Sequence, residues 1–329
     1  MILVFICGKI WSDESKNTCQ SAAPTTEAAQ LNVMPRRNQY RGQVALAMHS
    51  RGGGKIDMEI ASFIKEYRAK GFVVARGLFG ADLLRDVTTE VECVVQDAAA
   101  GADNGRMYFD DEAEAAVGRT ASAVRCVFRI QEHWDYLRDL LHSALILDLV
   151  RPLLGDEPVA DGIQYINKPP HASYEFPYHQ DNAYVFYHPP RALVATLALD
   201  KQRADSGPIA CLRGSHVLDI LAHQPSGVLG ASRGLVDPPD TSTYPEVAVE
   251  MEAGDVLVHH ANVIHRTGPN RTPRQRRNLG FGYHGSEATK DVKASAKYEV
   301  ELARNTRSSV TLPGITSGSS VTRDGPASA

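Results

Sequence analysis

Cysteine is scarce in this 329-residue chain, and the five present (Cys7, Cys19, Cys93, Cys126 and Cys211) are odd in number, scattered, and never spaced Cys-x-x-Cys. A disulfide framework, a zinc knuckle and a dithiol redox motif are therefore excluded, and reduced thiols in a cytoplasmic protein are expected. Long apolar runs are also missing. No stretch reaches the roughly 18 residues that a membrane-spanning helix needs, so no membrane partner is expected. The apolar opening Met1-Ile2-Leu3-Val4-Phe5-Ile6-Cys7 has no basic segment before it and turns polar by Ser12, which argues against a secretory signal. Blocks of like charge are absent and the net charge is −4, so nothing marks a nucleic-acid or anionic-lipid surface. One local basic cluster, Arg271 to Arg277, stands out against that background.

What is present reads as one large folded domain between two low-complexity ends, with 43% hydrophobic and 22% charged residues. Residues 13 to 56 are rich in Ser, Thr, Ala, Gln, Arg and Gly and show no periodicity, so residues 1–56 are expected to be a disordered leader. The stretch 305–329 has the same character and is expected to be a disordered tail, which leaves a domain over 57–304. The fold is expected to begin at Asp57, an N-cap candidate, followed by Ile60, Phe63, Ile64 and Tyr67 at helical spacing and a stop at Gly71. A short strand over Phe72–Val74 comes next, then a helix from about Ala81 carrying Leu84, Val87, Val91 and Val94. A third helical zone is expected from about Trp134 to Leu149, closed by Pro152 and Gly155.

After Gly155 the texture changes to short apolar runs punctuated by Gly, Pro and Asn. They cover Ile163–Ile166, Leu193–Leu199, Ile209–Leu212, Val256–Val258 and Leu279–Tyr283. Helices first and many short strands afterwards predict a mainly β fold with a helical layer against one sheet of a jelly-roll core.

Two His-x-Asp triplets occur. His133-Trp134-Asp135 opens a helical pattern, where residues i and i+2 point about 200° apart and cannot converge on one ion. His179-Gln180-Asp181 follows Pro177, and in an extended chain i and i+2 share a face, so an imidazole and a carboxylate can reach one metal. Downstream, Gly254-Asp255 reads as a turn and Val256-Leu257-Val258 as a strand, followed by His265. Two imidazoles and one carboxylate would form a facial triad suited to Fe(II). His259 and His260 also precede His265, and spacing alone does not choose among the three. Zinc is the competing metal, but no general base is placed for a zinc hydrolase and no four-ligand cysteine site exists.

The phrases Ile166-Asn167-Lys168-Pro169-Pro170, Tyr178-His179-Gln180-Asp181, Asp205-Ser206-Gly207-Pro208-Ile209-Ala210-Cys211-Leu212-Arg213-Gly214-Ser215-His216 and Gly254-Asp255-Val256-Leu257 occur in that order. With Arg276 eleven residues after His265 (276 − 265 = 11), they resemble the phytanoyl-CoA dioxygenase family of Fe(II)- and 2-oxoglutarate-dependent oxygenases over about residues 57–300. The resemblance implies a double-stranded β-helix, with iron on His179, Asp181 and His265, His260 a non-ligand, and Arg276 clamping the cosubstrate carboxylate. It also implies cosubstrate-side roles for Thr267, Asn278 and Gln164, although hydroxyl residues are commoner than Asn at position 278. Hydroxylation of a small molecule by O2, with succinate and CO2 as coproducts, is the implied reaction. The carboxylate at Asp181 favours hydroxylation over halogenation, since related halogenases leave that position to halide.

Two other classes stay open: a cupin-type isomerase or hydrolase, and a catalytically silent metal-binding jelly roll. Arg276 discriminates, because only a dicarboxylate cosubstrate calls for a clamp there. Strand alternation puts Arg276, Asn278, Gly280 and Gly282 on one face and Arg277, Leu279, Phe281 and Tyr283 on the other, so Arg276 is expected in the cavity and Arg277 at the rim. The aromatics Tyr174, Phe176, Tyr178, Tyr184, Phe186 and Tyr187 are expected either in the core or at a substrate mouth.

Overall fold

A computed structural model describes residues 53–101, 107–228 and 230–308. The chain opens with helix α1 (Gly53–Lys70), strand β1 (Phe72–Ala75), α2 (Ala81–Ala100), β2 (Met107–Phe109), α3 (Asp111–Val117) and β3 (Val124–Phe128). Helices α4 (Asp135–Leu141) and α5 (Ala144–Leu154) lead into β4 (Pro158–Lys168) and β5 (Phe176–His179). There follow α6 (Asn182–Val185), β6 (Tyr187–His188), β7 (Ala192–Ala198), β8 (Ile209–Leu212), β9 (His223–Val228), β10 (Ala231–Leu235) and β11 (Glu246–Ala248). The chain continues with β12 (Val256–His260), β13 (His265–Thr267), β14 (Arg276–Gly285), β15 (Thr289–Lys290) and α7 (Val292–Ser308).

Two antiparallel sheets make the barrel. The larger has the order β1-β12-β7-β14-β4-β3-β2 and the smaller β11-β8-β13-β5. The strands interleave along the chain, which is the expected jelly-roll topology. One face of the larger sheet carries Ile163, Tyr165, Leu193, Leu197, Val256, Val258, Leu279, Phe281 and Tyr283, all buried in one cluster with helix residues. Val87, Val91 and Val94 of α2, Leu137 and Leu141 of α4, and Leu145, Ile146 and Leu149 of α5 complete it. Each fully buried aliphatic or aromatic side chain contributes roughly 1.5–3 kcal/mol, so this helix-to-sheet seam holds the larger sheet in place.

Local expectations are met with adjustments. Helix α1 starts at Gly53, so Asp57 lies inside it and does not cap it; a cap preference of about 1 kcal/mol does not stop a helix whose upstream residues accept helical dihedrals. Helix α7 runs to Ser308, past the expected end of the domain near residue 304. The rest of the expected leader and tail, 1–52 and 309–329, falls outside the described residues. The third helical zone is two helices. Ser143 is extended (φ −73, ψ 149) and its hydroxyl donates to the Leu140 carbonyl at 2.7 Å, which breaks the run. Pro152 is inside α5, and Gly155 in the left-handed region (φ 64) ends it.

One turn fixes how the sheet meets α2. Gly254 has φ +91, and a Cβ there would stand 2.4 Å from the Phe79 carbonyl oxygen, whose residue in turn donates its N–H to the Gly254 carbonyl at 3.0 Å. Asp255 beside it accepts from Arg76 Nη1 at 2.7 Å, Gly77 N at 2.7 Å and Glu252 N at 2.9 Å. Gly254→Ala is expected to cost roughly 1–3 kcal/mol and to lower Tm by about 2–4 °C per kcal/mol. A thermal melt with unchanged Tm would show that this turn is not constrained as described.

Candidate metal centre and cosubstrate cavity

His179 ends β5 and His265 begins β13, and the two are direct cross-strand partners. Their rings lie 4.2 Å apart between centroids. Asp181 joins them by a route the sequence did not show. The strand stops at His179, and Asp181 has helical backbone dihedrals (φ −61, ψ −32) at the entrance to α6, so a turn, and not a continuous extended chain, brings the carboxylate round. The run Tyr184-Val185-Phe186 belongs to that turn as well. Asp181 Oδ1 lies 3.8 Å from His179 Nε2 and 3.8 Å from His265 Nε2. Among the described residues these three form a group whose ligand atoms lie within 4.8 Å of one another, all buried.

The protonation pattern suits a metal. His179 Nδ1 is 2.7 Å from the Pro177 carbonyl and His265 Nδ1 is 3.0 Å from the Val263 carbonyl. A carbonyl only accepts, so each Nδ1 carries the hydrogen and each Nε2 presents a lone pair. Both Nε2 atoms are buried with no protein partner. Burial pushes the His179 imidazole down to about 4 and holds His265 well below its ordinary value, so both rings are neutral and ready to ligate. Polar atoms left unpaired in a dry interior cost about 1–3 kcal/mol each, and a divalent cation would satisfy them together.

His259 is the residue whose role spacing could not assign. It lies on the inward face of β12, and its Nε2 donates to Asp181 Oδ2 at 2.9 Å. It is therefore a brace that turns the other carboxylate oxygen towards His179 and His265. His260 points elsewhere, towards Tyr67 and His216. Gln180 pins the triplet's loop: its amide donates to the Asp219 and Asn262 carbonyls (3.1 and 3.0 Å) and accepts from Leu221 N at 2.8 Å. Ser215 bridges the Leu212 carbonyl and Ile264 N (2.7 and 2.9 Å), fixing the start of β13 beside His265. The other triplet does not converge: Asp135 is the first residue of α4 and pairs with Arg138.

A cavity of about 30 Å³ adjoins the triad, lined by Gln164, Thr196, His179, His259, His265, Thr267, Arg276, Asn278 and Gly280, with Ile166, Phe176 and Ile209 as apolar walls. Of the expected iron and cosubstrate residues, His179, His265, Arg276, Thr267, Asn278 and Gln164 line this cavity, and Asp181 does not. Thr267 Oγ1 and Arg276 Nε are buried without a partner. A Cβ on Gly280 would meet Gln164 Cγ at 3.2 Å, so glycine here keeps room beside the glutamine. Arg276 is 1% exposed, and its Nη2 donates to the Gly207 carbonyl at 2.9 Å. With the Asn278 amide oxygen turned towards it, Arg276 Nη1 donates to Asn278 at 2.8 Å. Asn278 therefore orients the arginine. Burial pushes the guanidinium down to about 10, still charged near neutrality.

Two further cations went unassigned in the sequence. Lys168 is fully buried, donates to the Tyr174 and Gly268 carbonyls, and is held well below its ordinary value by burial and then by Arg276 and Arg125. Arg125 is 4% exposed, lies 3.3 Å over the Tyr174 ring, and leaves Nε and Nη2 without a partner. Arg276 and Arg125, buried close to Lys168, suit an anion. Arg277, expected at the rim, is instead 20% exposed and forms a fork with Asp200 (2.9 and 2.8 Å) and a contact to Glu92 at 3.2 Å. The outer face of β14 packs on α2, which carries Glu92, so the rim is covered.

Comparisons with known proteins give the family and the fold. A family model described as phytanoyl-CoA dioxygenase matches residues 67–278. A probable alpha-ketoglutarate-dependent hypophosphite dioxygenase of Stutzerimonas stutzeri is 27% identical over 228 residues, 68% of this chain and 78% of that protein. The peroxisomal phytanoyl-CoA dioxygenase of Rattus norvegicus is 28% identical over 251 residues, 73% of this chain and 72% of its own. Among solved structures, the epimerase SnoN in complex with Fe3+, alpha ketoglutarate and nogalamycin RO superposes with TM-score 0.57 at 22% identity, covering 82% of this chain and 95% of that one. EctD from S. alaskensis with 2-oxoglutarate and 5-hydroxyectoine gives TM-score 0.55 at 22% identity, covering 68% and 76%.

Anaerobic Fe(II) titration checks the ligand set. Alanine at His179, Asp181 or His265 is expected to abolish tight binding, whereas His259→Ala, which removes only the brace, is expected to weaken it about 10- to 100-fold. His133→Ala should bind iron like the unmodified protein. Comparable loss in the His133 variant would refute the assignment.

Proposed function

This chain belongs to the phytanoyl-CoA dioxygenase family of iron- and 2-oxoglutarate-dependent oxygenases, and from that premise we propose that it hydroxylates a small organic molecule, with Fe(II) held by His179, Asp181 and His265. Arg276 holds the distal carboxylate of 2-oxoglutarate. The observation that carries this reading is a buried, charged arginine in the same closed cavity as two unpartnered imidazole nitrogens. A cupin-type hydrolase or a silent metal site would have no use for that charge, and burying it without a partner would be costly.

When bound, iron and 2-oxoglutarate supply the oxidising power, with decarboxylation to succinate and CO2 and transfer of oxygen from O2 to a substrate C–H bond. The chain's own work is geometric and electrostatic. His259 holds Asp181 so that one carboxylate oxygen faces the metal position. Gly207 and Asn278 hold Arg276 so that its remaining donors face the cavity. Thr267 and Gln164 offer polar contacts along the same wall. Ile166, Phe176 and Ile209 exclude water, which strengthens each charged contact. Among the described residues no helix is long and apolar enough to cross a membrane. The buried free thiols of Cys126 and Cys211 support the cytoplasmic reading.

Lysine cannot reproduce the planar fork that arginine offers a carboxylate. Arg276→Lys is expected to raise KM for 2-oxoglutarate about ten-fold to a few hundred-fold, corresponding to about 1.5–3 kcal/mol of charged hydrogen bonding. Arg277→Lys should leave that KM unchanged but cost about 1 kcal/mol of stability through loss of the fork to Asp200. Succinate release at varied 2-oxoglutarate, with thermal melts of both variants, tests the pair. Unchanged KM in the Arg276 variant would remove the clamp from the reading.

A further inference from the structure

The inward face of β14 continues past the cosubstrate cavity. Its ladder with β7 is unbroken from Asn278↔Ala198 to His284↔Ala192, so Arg276, Asn278, Gly280, Gly282 and His284 share one face. Arg276 is at one end of this row and His284 at the other. Beside His284 the β4 ladder skips a residue: Gly282 faces Gly162 and Tyr283 faces Ala160, leaving Asp161 as the extra residue of a β-bulge. Bulges of this kind re-aim a side chain next to a site. Asp161 Oδ1 accepts from His284 Nδ1 at 2.8 Å and from Tyr187 Oη at 2.7 Å.

Tyr187 and His284 stack at 4.2 Å with a 17° interplanar angle. The pairing of β6 with β15 and two hydrogen bonds with Asn182, the neighbour of Asp181, hold Tyr187 in position. Tyr187 also packs on the pair Val185 and Val194. Val194 is the cross-strand partner of both Gly282 and His259. The cluster therefore lies at the opposite end of the β14 row from Arg276, next in register to the strand pair that carries the brace on Asp181.

The second oxygen, Asp161 Oδ2, is buried with no partner, on a side chain only 7% exposed. That is the condition of His179 Nε2, His265 Nε2 and Thr267 Oγ1 in the same barrel. A carboxylate whose one oxygen has two donors and whose other has none wants a donor from outside the chain. Tyr187 and His284, stacked on each other, both meet the first oxygen through their edges and leave the second to an outside donor.

We propose that Asp161, positioned by Tyr187 and His284, is the substrate-recognition group and takes a protonated amine, so that the substrate of this oxygenase is a small amine-bearing molecule. The assignment rests on the oxygenase reading for its purpose, but its geometry does not depend on iron. The substrate enters at the Asp161 end while the cosubstrate occupies the Arg276 end, with the iron ligands between. Asp161 is a specificity residue; Tyr187 and His284 are positioning residues.

The test uses the full chain with Fe(II) under anaerobic conditions, in two arms. Addition of 2-oxoglutarate should produce the charge-transfer absorption of the iron-cosubstrate chelate, which checks the oxygenase reading alone. Benzylammonium, benzyl alcohol and benzoate, which share a ring and differ in charge, are then titrated calorimetrically. Benzylammonium is expected to bind at least about ten-fold more tightly than benzyl alcohol, equivalent to about 1.4 kcal/mol, and benzoate most weakly. D161N should lose that preference while keeping the absorption and Tm, and Y187F, which leaves the carboxylate and its His284 donor but removes one positioning bond, should weaken the preference without abolishing it. Equal binding of the three probes by the unmodified protein overturns the proposal without any variant. So does a preference retained in D161N, or one that Y187F leaves at full strength, which would remove the positioning described for Asp161. If the preference holds but the absorption never forms, the oxygenase reading fails and the amine site stands.

Discussion

The pleat of β14, hydrogen-bonded on one side to β4 and on the other to β7, is the constraint on which the molecule depends. Alternation sends Leu279, Phe281 and Tyr283 into the helical layer and Arg276, Asn278 and Gly280 into the cavity, with Gly282 and His284 continuing the same face. A shift of one residue would bring Arg277 and the apolar set into the cavity and turn Arg276 and Asn278 against the helical layer, exchanging every inward residue at once. The register is held by apolar burial on the outer face, by Tyr283 Oη donating to the Leu141 carbonyl at 2.6 Å, and by the Arg277 fork to Asp200. The site's accuracy is therefore maintained from outside the site.

Within the barrel, stability is given up locally. Unpartnered donors and acceptors at His179, His265, Thr267, Arg276 and Arg125 would each be unfavourable in an inert core. They persist because the surrounding elements over-determine their positions: cross-strand pairing of His179 with His265, the brace from His259, the Gln180 loop network, and Ser215 at the head of β13. Such preorganisation fixes the ligand atoms before any cosubstrate arrives, so little reorganisation is left for binding to drive.

The phrases that look like chemistry in the sequence divide into two kinds of work. His179, Asp181 and His265 present ligand atoms. Gly207-Pro208, by contrast, acts through backbone, and Ser215 through a hydroxyl that ties two backbone segments together. Gly207, at φ +67 and with a Cβ position 2.3 Å from the Gly268 oxygen, lets two loops touch, and its carbonyl then accepts from Arg276. The turn at Gly254-Asp255 acts likewise, far from the cavity, by anchoring the sheet to α2.

Local periodicity by itself determined α1, α2 and the zone of α4 and α5, the apolar strand runs named after Gly155, and the two faces of β14. Each depends on neighbours within a few residues, where the pitch of a helix or the pleat of a strand decides direction. It missed α3, α7 and several short strands, and both His-x-Asp triplets prove to run into a helix, so backbone type did not separate them. Tertiary structure decided the rest. That Asp181 arrives through a turn, that His259 braces it, that Arg125 and Lys168 gather round Arg276, and that a bulge aims Asp161 at Tyr187 and His284 all depend on contacts between residues tens to more than a hundred positions apart. No local pattern encodes such contacts, because strand pairing and the closing of the barrel set them, and a single extra residue in one ladder is enough to redirect a side chain.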